Sequence, residues 1–307
     1  MNQFSNHPLY RRHNIDSAMS SLWEFYKKRF LALFIISLVM SLIIQYASSM
    51  LNFKELQTIT DPIILLEEIK GYIVPILIIS IVNLLFTTIL QYYIIYNPLD
   101  SENNIVVSAI RSLKYFIPYL ILMVLLAFAG SIAIFLGIIA LIIGVFFSII
   151  YIMTIYFFIL PILMIEGPNI GNTISRTIKL VHNNFWSNIG WVAVFIIILI
   201  VVSMIFSGII LLPFTGSFFK TIMNPVDAPE FMDFTTNPLF IILSAVVSAL
   251  TLPLMPIFSC ILYFNGKAGE EQSPTITQLN SENDKVRVED LYAKPYSGDN
   301  QEDTKQE

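Results

Sequence analysis

Five stretches of the chain contain no Lys, Arg, Asp or Glu: residues 30–53, 71–99, 115–165, 180–219 and 234–266. Each is longer than the roughly 20 apolar residues that cross about 30 Å of hydrocarbon at 1.5 Å per residue. A chain with this pattern has to fold in a bilayer, where every backbone polar group must be satisfied internally, so only helices or a closed barrel can span it. Runs such as Ile196-Ile197-Ile198-Leu199-Ile200-Val201-Val202 do not alternate apolar with polar, which excludes barrel strands.

The 51-residue stretch is too long for one crossing and predicts two, with the reversal near the glycines between Gly130 and Gly137. The stretch from residue 180 opens with a polar piece and supplies one span. Six helices result, at about 30–50, 72–96, 115–135, 138–164, 189–214 and 238–264. The expected fold class is therefore all-α integral membrane, with six transmembrane helices as three hairpins in a domain over residues 14–265. Hydrophobic residues make up 56% of the chain and charged residues only 13%, about half the share usual in soluble domains. That balance excludes a water-soluble enzyme. One cysteine excludes an internal disulfide.

Ten Lys and Arg residues fall on one side of these spans, in the N-terminal segment, at Arg111 and Lys114, at Arg176 and Lys179, and at Lys267. Only Lys54, Lys70 and Lys220 fall on the other. The excess predicts that both termini are cytoplasmic. Trp23, Trp186 and Trp191 sit near the same boundary, as an interfacial aromatic belt requires. The first apolar run starts at residue 30 and has no convincing cleavage site, so it reads as a retained helix.

The whole net charge of −5 resides in residues 266–307, which hold five basic and ten acidic residues. Rich in Ser, Asn, Gln, Asp and Glu, this segment reads as a disordered acidic cytoplasmic tail. Residues 286–292 offer it a possible docking peptide for a protein partner. Residues 1–13 read as a flexible N-terminus.

Each hairpin is preceded by a segment with apolar residues at three- and four-residue steps beside basic ones, at 14–30, 104–119 and 172–191. These predict three interfacial amphipathic helices and a threefold internal repeat. Outside, Asp61 and Pro62 predict the cap and first residue of a short helix ending near Gly71. Phenylalanines scattered through residues 215–237 predict a loop resting on the outer interface.

No ionisable residue falls within a span, so an ion-coupled pump is not expected. The intramembrane polar groups are hydroxyls and amides. Asn83, Thr87 and Gln91 share one helical face at steps of four and form a candidate substrate-facing stripe, although packing between helices is the commoner use of such groups. The pairs Ala129/Ala133, Ala140/Gly144, Ser203/Ser207 and Ala245/Ala249 allow close helix approach. Leu252-Pro253-Leu254-Met255-Pro256 predicts a broken helix of the kind that can border a binding site. Cys260 reads as a small apolar filler. His7, His13 and His182 have no metal-ligand spacing, and no catalytic motif occurs, so no cofactor, metal or enzymatic activity is expected. No nucleic-acid partner is expected either.

Residues 157–191, reading FFILPILMIEGPNIGNTISRTIKLVHNNFWSNIGW, place a Pro-x-x-Met-x-Glu-Gly step before a helix carrying Ser175-Arg176 and Lys179, then an Asn/Phe/Trp entry to the next span. This pattern resembles the membrane domain of glycerophosphoryl diester phosphodiesterases and the related YciC-like bacterial inner-membrane proteins. After Phe264 only 43 residues remain, without the phosphodiesterase barrel, so the resemblance implies no such activity. It implies a multi-pass protein of a bacterial cytoplasmic membrane that acts at the inner leaflet. The candidate cytoplasmic face for lipid or a protein partner is Arg111, Lys114, Arg176 and Lys179, with Glu166 orienting the connection between spans four and five. A small permease or channel for a neutral or lipidic substrate, using the Asn83 stripe, is the alternative.

Overall fold

A computed structural model describes residues 4–51, 59, 61–215 and 237–272. Among these residues the only regular secondary structure is helical, and six helices are long and apolar enough to cross a membrane. Helices α1 (Ile15–Lys28) and α2 (Phe30–Ser49) meet at Arg29. α3 (Pro62–Tyr96) and α4 (Ile105–Ile139) follow, then α5 (Leu141–Ile165), α6 (Ile170–Asn183) and α7 (Phe185–Leu211). The last crossing is split into α8 (Pro238–Thr251) and α9 (Leu254–Gln272).

Local chemistry sets these boundaries. Asn14 caps α1 reciprocally, its side chain accepting from Ser17 N–H while Ser17 Oγ accepts from Asn14 N–H. Asp61 caps α3 by accepting from Ile63 N–H, and Pro62 occupies the first turn, where no N–H is needed. The cap is the expected one, but the helix does not stop at Gly71. It runs 35 residues, about 52 Å at 1.5 Å per residue, through both Gly71 and Pro75.

The reversal between the third and fourth spans lies at Ala140 and Leu141, beyond the glycines expected to make it. Those glycines serve packing instead. A Cβ on Gly137 would lie 2.7 Å from Ser148 Oγ, and one on Gly144 would collide with the Gly137 carbonyl. Leu141 makes the turn with φ +62°, a left-handed conformation that costs an L-residue roughly 1–2 kcal/mol. Its side chain is 77% exposed, so little packing is at stake. Leu141→Gly is expected to stabilise the hairpin by about 0.5–1 kcal/mol after the entropy cost of glycine, read as a raised midpoint in detergent unfolding.

Two of the three expected amphipathic helices, α1 and α6, are separate elements. The second is not: residues 105–119 are the first turns of α4, continuous with the span. Its apolar side still faces outward, as an interfacial stripe would. Ser108, Ser112, Tyr115 and Tyr119 point inward and are buried, while Val106, Ile110, Leu113 and Ile117 are exposed. In α1 the apolar stripe Ala18, Leu22, Phe25 and Tyr26 is buried in the protein rather than spread into lipid. Like the start of α4, α6 presents apolar residues outward, Ile174 and Ile178, while burying Thr173, Thr177, Leu180 and Val181.

Burial is uneven along the bundle. Tyr96 O–H donates to Met164 O at 2.7 Å, and Tyr263 O–H to Glu166 at 3.0 Å, so the α3–α4 and α5–α6 connections meet α9 at one end. We call this the basic end. Its half of the bundle holds the core: Leu90 to Ile95, Tyr119, Phe157 to Met164, Val192, Phe195 and Ile257 to Phe264. In the other half, α3 has no buried residue before Thr88 and α5 none before Thr154. There α4 packs on α5 and α2 on α8, the latter through small buried residues, Ser37 and Ser41 on one helix and Ala245 and Ala249 on the other.

The N-terminal segment is not a free tail. Phe4, His7 and Leu9 are buried, and the His13 N–H donates to Asn265 Oδ1 at 2.8 Å. At the opposite terminus α9 continues to Gln272, past the residue 266 at which the tail was expected to begin. The rest of that tail, its 286–292 docking peptide, and nearly all of the 215–237 loop lie outside the described residues.

Candidate functional site

The amide stripe and the broken helix, two separate features of the sequence, line one cavity of ≈ 210 Å³. Asn83, Thr87 and Gln91 come from α3, Tyr119 from α4, Tyr156 from α5, and Leu252, Met255, Pro256 and Ser259 from the break and α9. None of the lining residues is ionisable below the range of a tyrosine. A cavity of this size and polarity holds several waters or one small polar group.

The break makes hydrogen-bonding capacity available. Pro253 and Pro256 carry no N–H, so the carbonyls four residues earlier lose their helical donors. Nearby acceptors are met from other helices: Tyr26 O–H donates to Leu250 O at 3.0 Å, and Gln91 Nε2 to Pro256 O at 3.3 Å. Gln91 Nε2 also lies 2.8 Å from Cys260 Sγ, so the cysteine is a hydrogen-bond acceptor as well as a filler. Ser259 Oγ donates to Phe157 O and ties the break to α5.

Burial falls along the stripe. Gln91 is 1% exposed, Thr87 half-buried and Asn83 exposed at a depth where apolar side chains surround it. Thr87 Oγ1 donates to Asn83 O at 2.9 Å and reaches Asn83 Oδ1 at 3.3 Å, which places the Asn83 amide nitrogen at the mouth. Polar capacity therefore runs from the mouth inward. Ser203 and Ser207 do not join helices as expected; both are exposed and border a separate apolar groove.

At the basic end the five expected face residues divide. Glu166 caps α5 and accepts from Arg176 Nε at 3.0 Å and from Tyr263 O–H at 3.0 Å, with Lys267 Nζ 3.3 Å from the same hydroxyl. Gly167, at φ +109°, then turns the chain into α6, whose cap Asn169 accepts from Asn172 N–H. Glu166 thus ties α6 and α9 to the end of α5. Arg111 donates to Asn103 Oδ1 at 2.7 Å in a different, polar pocket with Asn6, Tyr92 and Asp100. Lys114 lies 4.7 Å above the Tyr115 ring, and Lys179 is exposed. Arg176 is committed to an ion pair rather than offered to a partner.

Sequence reasoning missed the packing of the N-terminal segment. His7 packs at a tilt on Phe264, 4.8 Å between ring centroids, and stacks on Phe25 at 6.1 Å. Its Nδ1 accepts from Leu9 N–H at 3.2 Å, which leaves the ring proton on Nε2, 3.2 Å from Ile94 O. Burial pushes the imidazole down to about 4, with Arg29 adding to the shift. No spacing in residues 1–13 announces this contact, because its partners lie about 90 and 260 residues away.

His182 remains a surface group: its Nδ1 is 2.8 Å from Ile178 O and its ring stacks on Phe185. Among the described residues no three His, Cys, Asp or Glu side chains converge. Comparison with protein-family models, curated proteins and solved structures finds no match.

Proposed function

We propose that this membrane protein binds an uncharged polar group of a small or lipidic molecule in the cavity beside the Leu252–Pro256 break, as a permease for such a substrate would. The single observation that carries this reading is the convergence of the Asn83, Thr87 and Gln91 stripe with the broken helix on one cavity. Polar groups that line a cavity in hydrocarbon can bind a guest or water, and a cavity without charge selects a neutral guest. Binding or passage, not catalysis, is the proposed role. The membrane is proposed to be a bacterial cytoplasmic one with the basic end inside, on the distribution of Lys and Arg and on the resemblance at residues 157–191.

A second reading rests on the polar pocket around Arg111 together with exposed Lys179: the basic end engages anionic lipid or a protein partner, each cation contributing about 1 kcal/mol. Native mass spectrometry of the full chain released from its own membranes separates the two. A neutral retained mass, lost in Asn83→Leu with expression unchanged, is the expected result. An anionic lipid lost instead in the triple Arg111→Gln, Lys114→Gln, Lys179→Gln variant would transfer the function to the basic end. Retention unaffected by Asn83→Leu would reject the cavity.

A further inference from the structure

Beside the cavity, between α5, α7 and the end of α8, lies an apolar groove of ≈ 830 Å³ bordered by Ile149, Met153, Leu199, Ser203, Ser207 and Gly208. Leu252 and Met255 line both the groove and the cavity, so the two spaces are separated only by side chains of the broken helix. We propose that they form one bipartite site for a lipid with an uncharged head, the head in the cavity and an acyl chain in the groove. This rests on the cavity being a binding site.

The residues argue for this occupant in three ways. The groove falls within the apolar part of α7, where exposed Ile197, Ile200, Val201, Met204 and Ile205 require a hydrocarbon environment. Small side chains make its floor: Ser203 and Ser207 are short, and a Cβ on Gly208 would meet nothing within 4 Å. Among the described residues no helix seats on this space. Its volume lies in the range of roughly 300–1,000 Å³ typical of ligand pockets, and no charged residue lines it.

Shape and the neighbouring polar anchor, more than hydrophobicity, must hold the chain there. Lipid tails are as apolar as the groove, so transfer from bilayer to groove gains little by itself. A lipid whose head is fixed in the cavity has its chain delivered to the groove at high local concentration. The Pro253 break places Leu252 and Met255 at the junction, on backbone that lacks the full helical hydrogen-bond ladder, which lets the partition move as the lipid enters.

Two photoreactive diacylglycerols test the idea with the full chain in nanodiscs, one with a diazirine at mid-chain and one with it on the glycerol head. The chain probe is expected to label residues 149–153 and 196–211 above the lipid-facing residues 73–81. Asn83→Leu should cut that excess about tenfold, equivalent to about 1.4 kcal/mol, and Gly208→Trp should abolish it while leaving head labelling of residues 83–91 intact. Head labelling in the cavity with chain labelling equal on all faces would overturn the bipartite site and leave the cavity reading standing. Absence of both localised signals would overturn the two together. Crosslinks between two copies across residues 196–211 in place of chain labelling would give the groove to a second copy and reject the lipid assignment.

Discussion

Glu166→Ala is expected to destabilise the bundle by about 3–5 kcal/mol, measured as a shift in denaturant or SDS unfolding in mixed micelles. The side chains of Arg176 and Glu166 are only 18% and 17% exposed, and one carboxylate oxygen serves both Arg176 and Tyr263. Removing it takes from a mostly buried guanidinium the carboxylate at 3.0 Å and from a tyrosine hydroxyl its acceptor. Glu166→Gln retains an acceptor for Tyr263 and loses only the charge, so its cost should be smaller. A loss below about 1 kcal/mol in the alanine variant would mean that the pair is screened as a surface bridge and that the face of Thr173, Leu180 and Val181 holds α6.

Acidification is expected to release the N-terminal segment. A free histidine titrates near 6.5 and docked His7 at about 4, because burial penalises the charged ring and the Arg29 guanidinium repels it, against a smaller opposing effect of the Ile94 carbonyl. Between those values the undocked chain binds a proton that the docked chain excludes. Docking is therefore fully stable above pH 6.5, weakens as pH falls, and has lost about 3 kcal/mol by pH 4. His13 moves in the same direction, lowered first by burial and also by Arg11. Proteolysis at Arg11 or Arg12 in detergent, by a protease active across the range, reads the release. Cleavage that does not rise between pH 7 and 4.5 would show that the aromatic contacts of Phe4 and Tyr10 hold the segment regardless of His7. His7→Asn should reduce the pH dependence of cleavage in this window to what His13 contributes.

Charge exclusion made the six crossings legible, because a Lys or Glu in hydrocarbon is costly enough that its absence maps the bilayer. The Asn83 stripe was legible for a similar reason: three polar residues at steps of four are conspicuous in an apolar helix. Direction of burial was not. An apolar stripe can face lipid or the protein, and both occur here: the start of α4 turns Val106 and Ile110 outward, whereas α1 buries Ala18, Leu22, Phe25 and Tyr26 against the protein. The α4–α5 turn was misplaced because Gly130 and Gly137 signal conformational freedom, whereas Gly137 here allows close approach to α5. Contacts such as those of His7 with Phe264 and of Gln91 with Cys260 join residues far apart in the chain, and local periodicity says nothing of them.

The two ends of the domain meet: Phe4, His7 and Tyr10 pack on Phe264, and His13 bonds to Asn265, 252 residues away. A ribosome adding about 5–20 residues per second separates these partners by on the order of 10–50 s. The first residues made are thus among the last to find their place. Until residues 257–264 arrive, the centre of the basic half has nothing to fill it, and the earlier helices must wait in the bilayer unlocked. Docking of the N-terminal segment then marks arrival of the last crossing, and a product cut short before it would leave that segment free for proteolysis.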